Sequence, residues 1–378
     1  MDASHDLNRL VAELSAGTAV SAAAGSGLGR WLALMADRQA SDLVLVAGEP
    51  PIFRIEGRMV RSSAAVLDGD DVYDLVAPDL KPHAQRIFKE QGSADAAVKV
   101  VGVGRFRVNL HLERGRPAAT IRRLPTKVPA LSSLNLPPGT DILTRLGRGL
   151  VIVGGATGSG KTTTLAAIVD EINRRDDKHI ITIEDPLEYE HTNHRSVIQH
   201  IEIGTDAPDF PTALRSALRQ APDVIVIGEM RDPETMKIAL AAGETGHLVL
   251  STLHTTDIPS TIARMTDSFP PERQPTIRQE IAAALAAVFV QTLVPAVAGG
   301  RVPAAELLML QYGARQHIRR NTLHQLHQEI TVTRKHGSFT LEECFAKLVV
   351  RGQVDRAEAA ARVNHPDDFE SALKSPRE

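Results

Sequence analysis

Residues 150–170, LVIVGGATGSGKTTTLAAIVD, constrain the fold of this chain more than any other stretch. They fit the P-loop pattern G-x-x-x-x-G-K-[ST], in which Lys161 and Thr162 close the match. A short apolar run with strand character precedes the glycines, and apolar residues recur at helical spacing after them. This order directs backbone N–H groups and a helix N-terminus at an anion. An ordinary glycine-rich turn is the alternative, but the matching strand and helix favour nucleotide binding.

The P-loop pattern also assigns roles within the loop. Lys161 would reach the outer phosphates, and the hydroxyl of Thr162 would ligate Mg²⁺. We therefore predict ATP and Mg²⁺ as ligands. The predicted nucleotide-binding residues are the consecutive positions of the loop and the first helical turn: Gly155, Ala156, Thr157, Gly158, Ser159, Gly160, Lys161, Thr162 and Thr163.

Composition limits the class of protein. The chain has 378 residues, enough for two or three domains. A formal net charge of −3 and an aromatic content of 3% count against a dedicated nucleic-acid binder. The single cysteine, Cys344, excludes an internal disulfide framework and a cysteine-rich zinc site. The chain opens without signal-peptide features, and its longest apolar stretch, 281–290, is too short to span a bilayer. We expect a cytoplasmic protein that binds no nucleic acid.

Three regions precede the P-loop. Residues 1–29 hold one possible short helix at 7–14 and then an Ala/Gly/Ser run that is typical of a flexible extension. Residues 30–124 have the pattern of a small α+β domain. Residues 125–149 carry four prolines and are predicted to be a linker.

Residues 150–378 form the second predicted domain. Strands and helices alternate after the P-loop, which predicts an α/β fold with a mostly parallel sheet. After about residue 270 the pattern predicts mainly helices, apart from a strand at 302–310.

One strand of the first domain carries a basic face. Residues 105–112 alternate strictly between apolar and polar side chains. The apolar side chains are Phe106, Val108, Leu110 and Leu112, and the polar ones are Arg105, Arg107, Asn109 and His111. The next strand ends in Arg122 and Arg123. A solvated basic surface is one interpretation; the other is that these arginines face a phosphate that belongs to another copy or domain.

Strand-end acids and histidines are the candidates for chemistry, because ATP hydrolysis needs a carboxylate near the attacking water and positive charge near the phosphates. We expect these groups at the ends of strands next to the P-loop strand. Glu184 ends the strand HIITIE and is the candidate general base or water-orienting group. Glu229 follows the apolar run VIVIG in a Walker-B-like arrangement and would hold Mg²⁺ through water. His247 and His254 bracket another strand, and His254 could sense a γ-phosphate.

Several long motifs together resemble one family. They are GATGSGKTTTLAA, TIEDPLEY, ALRSALRQAPDVIVIGEMRDPET and ETGHLVLSTLHTTD in the second domain, and ASDLVLVAGEPPIFRIEG and GRFRVN in the first. Through them, residues 28–372 resemble the type IV pilus and type II secretion family of hexameric motor ATPases. The likeness is greatest to the twitching-motility, PilT-type branch, which drives pilus retraction.

The resemblance implies a PAS-like α+β N-terminal domain joined to a RecA-like P-loop ATPase domain. It also implies a homo-hexamer that binds ATP between copies and works on a pilus platform protein at the cytoplasmic face of the inner membrane. By resemblance, Glu184 is the catalytic carboxylate and Glu229 supports Mg²⁺, while His247 and His254 match the family's histidine box.

The family's arginine fingers map to Arg105 or Arg107 and, in the following strand, to Arg122. We expect Arg107 and Arg122 to be the fingers, because each lies on the polar side of its strand.

Two features bear on the branch of the family. One cysteine cannot supply the four-cysteine zinc module of extension-type ATPases, which favours the retraction branch. However, the retraction motif AIRNLIRE aligns with residues 313–320, where only Arg315, Ile318 and Arg319 are kept and the final acid is Arg320. The departure leaves one alternative open, an accessory paralogue or secretion-type ATPase that regulates a partner motor. Two alternatives of other classes also stay open: a nucleotide-dependent binding subunit that hydrolyses little, and a nucleic-acid translocase.

Overall fold

The computed structural model describes residues 27–374, which divide into two compact units. Unit 1 holds the described residues up to Lys127 together with two later segments, Pro186–Glu190 and Gly204–Asp206. Unit 2 holds the remaining described residues. Most of the predicted N-terminal extension, including the helix at 7–14, lies outside the described residues.

Unit 1 is a six-stranded antiparallel sheet covered by three helices. Its strands are β1 (Asp42–Leu45), β2 (Ile52–Ile55), β3 (Arg58–Arg61), β4 (Ser93–Val100), β5 (Gly104–Glu113) and β6 (Arg116–Arg123). Its helices are α1 (Gly27–Asp37), α2 (Gly69–Val76) and α3 (Pro82–Gln91). The strand order is β3-β2-β1-β6-β5-β4.

The predicted alternation in β5 sets the two faces of this sheet. Phe106, Val108 and Leu110 are fully buried in the core beneath the helices, whereas Arg105 and Arg107 on the other face stay partly exposed. The last position of the predicted apolar face, Leu112, is 49% exposed, because it lies beside the turn at the end of the hairpin. The face of the sheet that carries the arginines is therefore the one opposite the apolar core.

Unit 2 is built on a seven-stranded sheet in the order β13-β12-β7-β11-β10-β8-β9. The strands are β7 (Gly149–Gly154), β8 (His179–Glu184), β9 (Val197–Glu202), β10 (Val224–Ile227), β11 (Leu248–Leu253), β12 (Leu285–Pro295) and β13 (Arg301–Met309). All neighbours pair in parallel except β12 and β13, which are antiparallel. Continuous Val, Ile and Leu runs in β7, β10 and β11 are typical of strands buried on both faces.

Helices cover both faces of this sheet, and each face has its own apolar core. The helices of unit 2 are α4 (Lys161–Arg175), α5 (Phe210–Ala217), α6 (Pro233–Glu244), α7 (Ile258–Asp267), α8 (Gln274–Ala284), α9 (Tyr312–Arg319), α10 (Leu326–Val332), α11 (Leu341–Val350), α12 (Arg356–Ala360) and α13 (Pro366–Lys374). In the part of the chain from 27 to 374, no helix is long and apolar enough to cross a membrane.

Two predictions about unit 2 need correction. The apolar stretch 281–290, expected within a mainly helical region, leaves α8 at Ala284 and becomes strand β12. An apolar run of this kind can be buried as a helix or as a strand, and here it forms β12, which pairs in parallel with the P-loop strand β7. The predicted linker 125–149 is largely part of unit 2, because Leu143 is fully buried in the core beside α4.

Candidate active site

The P-loop connects β7 to α4 through glycines in backbone conformations that other residues avoid. Gly155, Gly158 and Gly160 have φ angles of 151°, 78° and 87°. A Cβ at Gly155 would lie 2.3 Å from Ser159 Oγ and 2.4 Å from the carbonyl oxygen of Gln291. The loop therefore closes on itself so tightly that only glycine fits at position 155.

A residue that the sequence did not reveal holds this loop in place. Gln291, on β12, is buried, and its Nε2 donates to the carbonyl oxygen of Ser159 at 2.6 Å. Its Oε1 accepts a hydrogen bond from the buried hydroxyl of Thr164 at 2.7 Å. One amide thus fastens both the P-loop and the first turn of α4 to the neighbouring strand.

Lys161 begins α4 and has a buried ammonium group. Its Nζ donates to the carbonyl oxygens of Gly155 at 2.9 Å and Ala156 at 3.0 Å. It also lies 3.2 Å from Nδ1 of His254, which follows β11, the other strand beside β7. The ammonium is therefore poised within the loop and in contact with the histidine that we expected to sense phosphate.

His254 connects Lys161 to Glu229. Nε2 of His254 lies 3.3 Å from one carboxylate oxygen of Glu229, and Arg231 Nη2 lies 2.8 Å from the other. Glu229 follows β10, which pairs with β11 on the side away from β7. The structure thus brings together the P-loop lysine, the histidine and the Walker-B-like acid that the sequence predicted separately.

Glu184 ends β8 and lies against the same edge of the sheet. The backbone N–H of Gly228 donates to the carbonyl of Ile183 at 2.8 Å, and a Cβ at Gly228 would lie 3.5 Å from Cα and Cγ of Glu184. The residues that immediately precede Glu184 and Glu229 are therefore hydrogen-bonded to each other where β8 and β10 end.

The expectation that all these strands neighbour β7 is wrong. β11 and β10 separate β8 from β7. At about 4.8 Å per strand, β8 lies roughly 14 Å from the P-loop strand.

His247 does not join this cluster. It precedes β11, where its carbonyl accepts a hydrogen bond from the N–H of Gly149 at the start of β7. Its ring Nδ1 lies 3.2 Å from the carbonyl oxygen of Ala242. Because residues rise about 3.3 Å along a strand, His247 is roughly 20 Å from the P-loop edge. The sequence prediction placed both histidines at the nucleotide site, and the structure places only His254 there.

In unit 1, the predicted arginines form a row across the polar face of the sheet. Arg107 on β5 is directly opposite Arg122 on β6, and Arg122 is opposite Asp42 on β1. Arg107 Nε lies 3.1 Å from Asp95, and the Arg122 side chain, 69% exposed, donates from Nε to Asp42 at 2.9 Å. Both guanidinium groups are thus oriented by carboxylates and still reach solvent.

Asp42 is a further residue that sequence reasoning missed. Burial of its carboxyl group opposes ionisation, but hydrogen bonds from Arg122 and Ser41 and the charges of Arg122 and Arg54 lower its pKa below the ordinary value. Asp42 is therefore an ionised carboxylate that holds Arg122 by Nε. Asp42 lies opposite Arg122 because β1 and β6 are neighbours in the sheet, and this pairing is known only from the strand order.

Arg105 has a different setting. Its Nη2 donates to the carbonyl oxygen of Leu187 at 2.7 Å, and both residues belong to unit 1. A guanidinium engaged with backbone carbonyls is less available to a phosphate than those of Arg107 and Arg122.

Residues 135–328 match the family model described as type II/IV secretion system protein. The chain is 39% identical over 338 residues to the type IV pilus retraction ATPase PilT of Pseudomonas aeruginosa, covering 89% of this chain and 98% of that protein. The chain belongs to the PilT-type ATPases of the type II/IV secretion family. It is an ATPase of mixed α/β, RecA-like fold with an N-terminal domain.

Two further comparisons agree with this family. A crystal structure of the pilus retraction motor PilT with bound ADP superposes with a TM-score of 0.81 at 38% identity, covering 90% of this chain and 98% of that one. The type IV pilus ATPase PilU of Pseudomonas aeruginosa is 35% identical over 344 residues, covering 91% of this chain and 90% of that protein. Likeness to PilT-type ATPases thus extends over both units.

Within this PilT-type chain, the segment aligned with the AIRNLIRE motif is helix α9. Ala314 and Ile318 are buried, and Arg315 donates from Nη1 to the carbonyl oxygens of Ala282 and Ala283. Two of the kept residues, Arg315 and Ile318, therefore hold α9 against the rest of unit 2, whereas buried Ala314 departs from the motif. Arg320, which replaces the final acid, is exposed.

Proposed function

We propose that the chain works as a homo-hexameric, Mg²⁺-dependent ATPase motor that retracts a type IV pilus at the cytoplasmic face of the inner membrane. The observation that carries the proposal is the Lys161–His254–Glu229 chain of contacts, which links the phosphate loop to two strand ends of the sheet. Such a link lets a change at the phosphates alter the positions of other elements, which a motor requires. The match to PilT over nearly its whole length supports pilus retraction as the work done.

The residues present fit a nucleotide with its metal ion. The glycine conformations of the P-loop leave room for phosphate oxygens at the N-terminus of α4, and Lys161 lies in that loop. A bound Mg²⁺ would neutralise charge that develops on the phosphates. We assign its binding to the hydroxyl of Thr162 and, through water, to Glu229, because oxygen ligands suit this ion.

Hydrolysis also needs a group that acts on water. We assign that role to Glu184, since a carboxylate at the strand edge beside Glu229 can accept a proton from water or orient it. His254 contacts both Lys161 and Glu229, so we assign it the role of reporting whether a γ-phosphate is present.

Arg107 and Arg122 would complete the site from another copy of the chain. Both guanidinium groups are partly or largely exposed, so they can reach a phosphate without first being unpacked. An arginine finger of this kind contributes about 10³–10⁵ in rate. Hydrolysis would then depend on ring assembly, and each bound ATP would join two subunits.

An accessory role is the second candidate function. The departure from AIRNLIRE at residues 313–320, with exposed Arg320, favours it. In that case the ring would bind the pilus platform protein together with a paralogous ATPase and support that partner's motor.

Two measurements test these proposals. A retraction motor predicts that deletion of the gene leaves cells hyperpiliated and non-motile, with wild-type behaviour restored by the intact gene but not by a Lys161→Ala variant. Restoration by Lys161→Ala would show that the chain supports retraction without using ATP, and would favour the accessory role. The purified ring should also hydrolyse ATP by itself, whereas stimulation by DNA that is lost at high salt would revive a nucleic-acid translocase.

A further inference from the structure

Three side chains of the types that ligate metals meet in the C-terminal part of the chain, and none of them belongs to the P-loop. They are His327 on α10, His365 just before α13, and Asp368 in the first turn of α13. Nε2 of His327 lies 2.8 Å from Oδ2 of Asp368, and the two imidazole rings have centroids 3.7 Å apart. One ligand atom from each of the three residues lies within 4.8 Å of the other two.

The helices that carry these side chains are anchored by buried neighbours. Leu326 and Ile330 fix α10 in the core, and Phe369 fixes α13. His365 and Asp368 are brought to one side by a helical turn, in which the N–H of Phe369 donates to the carbonyl of His365 at 3.1 Å. A site on anchored elements loses little entropy when it closes on an ion.

The backbone before α13 is held by a buried carboxylate. Glu342, 1% exposed on α11, accepts hydrogen bonds at Oε1 from the N–H groups of Asn364 at 3.2 Å and His365 at 3.1 Å. Glu342 therefore fixes the point from which the His365 side chain projects. Outer partners that fix the ligand-bearing chain are typical of built metal sites.

The ligand set decides the kind of ion. Two imidazoles and one carboxylate suit a divalent first-row transition ion, whereas Mg²⁺ and Ca²⁺ prefer oxygen ligands only. Zn²⁺ with bonds of about 2.0–2.2 Å would need its ligand atoms roughly 3.3–3.6 Å apart. The two imidazole rings, whose planes differ by 32° and whose centroids lie 3.7 Å apart, would rotate about their side-chain bonds to direct one nitrogen each at the ion.

We propose that His327, His365 and Asp368 form a Zn²⁺ site with three protein ligands and one exchangeable position. Bound Zn²⁺ would replace the His327–Asp368 hydrogen bond and tie α10 to α13. Asp368 also lines a cavity of about 710 Å³, through which the ion and its water can reach the site. The site is independent of the ATPase chemistry, because none of its ligands belongs to the residues assigned to nucleotide.

The test uses the full-length chain, stripped of metal with a chelator and then titrated with Zn²⁺ by calorimetry in the presence of excess Mg²⁺. We expect one Zn²⁺ per chain in the wild type. His365→Asn and His327→Asn should each weaken binding by at least about tenfold, since outer-shell changes alone cost 10–100-fold. Co²⁺ should give the absorption bands of a low-coordinate site in the wild type, and these bands should be lost in both variants.

The matched control is His324→Asn, which removes an exposed histidine one turn before His327. This variant should bind Zn²⁺ as the wild type does. Because His365 is exposed, His365→Asn should keep the wild-type circular dichroism spectrum, so that loss of binding reports loss of a ligand. Equal Zn²⁺ affinity in the wild type and in a folded His365→Asn variant, or no Zn²⁺ binding by the wild type, would overturn the proposal.

Discussion

Gln291 Nε2 lies 2.6 Å from the carbonyl oxygen of Ser159, so the P-loop is fastened to a strand that follows it by more than a hundred residues. The other end of the same amide accepts from Thr164, and both ends of the contact are buried. Loss of a partner leaves a buried polar group unsatisfied, at a cost of about 1–3 kcal/mol each. The conformation of the loop therefore depends on β12 as well as on its own glycines.

We predict that Gln291→Leu weakens ATP binding by about tenfold or more, because the loop no longer rests in the conformation that receives phosphates. Titration with a fluorescent ATP analogue measures the dissociation constant. Gln291→Glu is the informative companion, since it can still accept from Thr164 but cannot donate to Ser159. Because an ionised carboxylate would lie buried against the carbonyl oxygen of Ser159, Gln291→Glu should weaken ATP binding at least as much as Gln291→Leu. Wild-type affinity in both variants would show that the hydrogen bonds of Gln291 have no part in binding.

Substitutions at Lys161 and Glu184 should affect different steps, namely ATP binding and ATP hydrolysis. Lys161→Ala should abolish measurable ATP binding, because it removes the cation from inside the loop. Glu184→Gln should keep ATP affinity but reduce turnover by at least about 10²-fold, in the range that a positioned acid–base group contributes. Phosphate release and nucleotide binding, measured on the same preparations, check both. Near-wild-type turnover in Glu184→Gln would remove Glu184 from the catalytic role.

The P-loop and its strand-end partners could be predicted because each has a local signature. A strand, glycines at fixed spacing and a helix occupy consecutive residues, and Glu184 and Glu229 each follow an apolar run. The position of His247 could also have been predicted. It and His254 lie at opposite ends of β11, so one parallel strand cannot carry both to the P-loop edge.

Gln291 and Asp42 could not be predicted in the same way, since their roles come from strand order. Gln291 contacts the P-loop because β12 pairs with β7, and the apolar run that forms β12 fits a buried helix or a buried strand equally well. Asp42 is opposite Arg122 because β1 pairs with β6 rather than with β4. Neither strand pairing can be recognised from the sequence around Gln291 or Asp42.

The exposed arginines of unit 1 predict that Arg122 of one subunit increases the rate of ATP hydrolysis at the site of another. Arg122→Ala should reduce turnover by roughly 10³-fold or more while ATP binding stays close to that of the wild type. Arg116→Ala, at the opposite end of the same strand, is the matched control and should keep its turnover. Steady-state ATP hydrolysis and nucleotide titration make the comparison.

Mixing variants tests whether Arg122 acts in trans. Rings assembled from Arg122→Ala and Glu184→Gln chains contain some interfaces with both wild-type groups, so mixing should restore part of the activity that neither variant shows alone. Native mass spectrometry can establish that the subunits exchange. If the subunits exchange and hydrolysis does not recover, Arg122 acts at the nucleotide site of its own subunit or takes no part in hydrolysis.

The last prediction concerns stability and pH. Glu306, on β13, is buried and accepts the N–H of Ile258 at 2.8 Å; burial, with smaller contributions from the carboxylates of Glu342 and Asp257, raises its pKa to about 8. Between its ordinary pKa of 4.5 and this value, the folded state binds more protons than the unfolded state, so stability falls as pH rises through that window. The loss is at most about 1.4 kcal/mol per pH unit.

Glu306→Gln keeps an acceptor for Ile258 but carries no charge, so its stability should change less than that of the wild type as pH rises through that window. Glu272→Gln, which alters an exposed glutamate, should instead follow the wild-type profile. Midpoints of urea unfolding, measured for the three chains at a series of pH values, make the comparison. Parallel profiles for the wild type and Glu306→Gln would mean that Glu306 is already ionised in the folded protein, with its charge balanced by groups other than the N–H of Ile258.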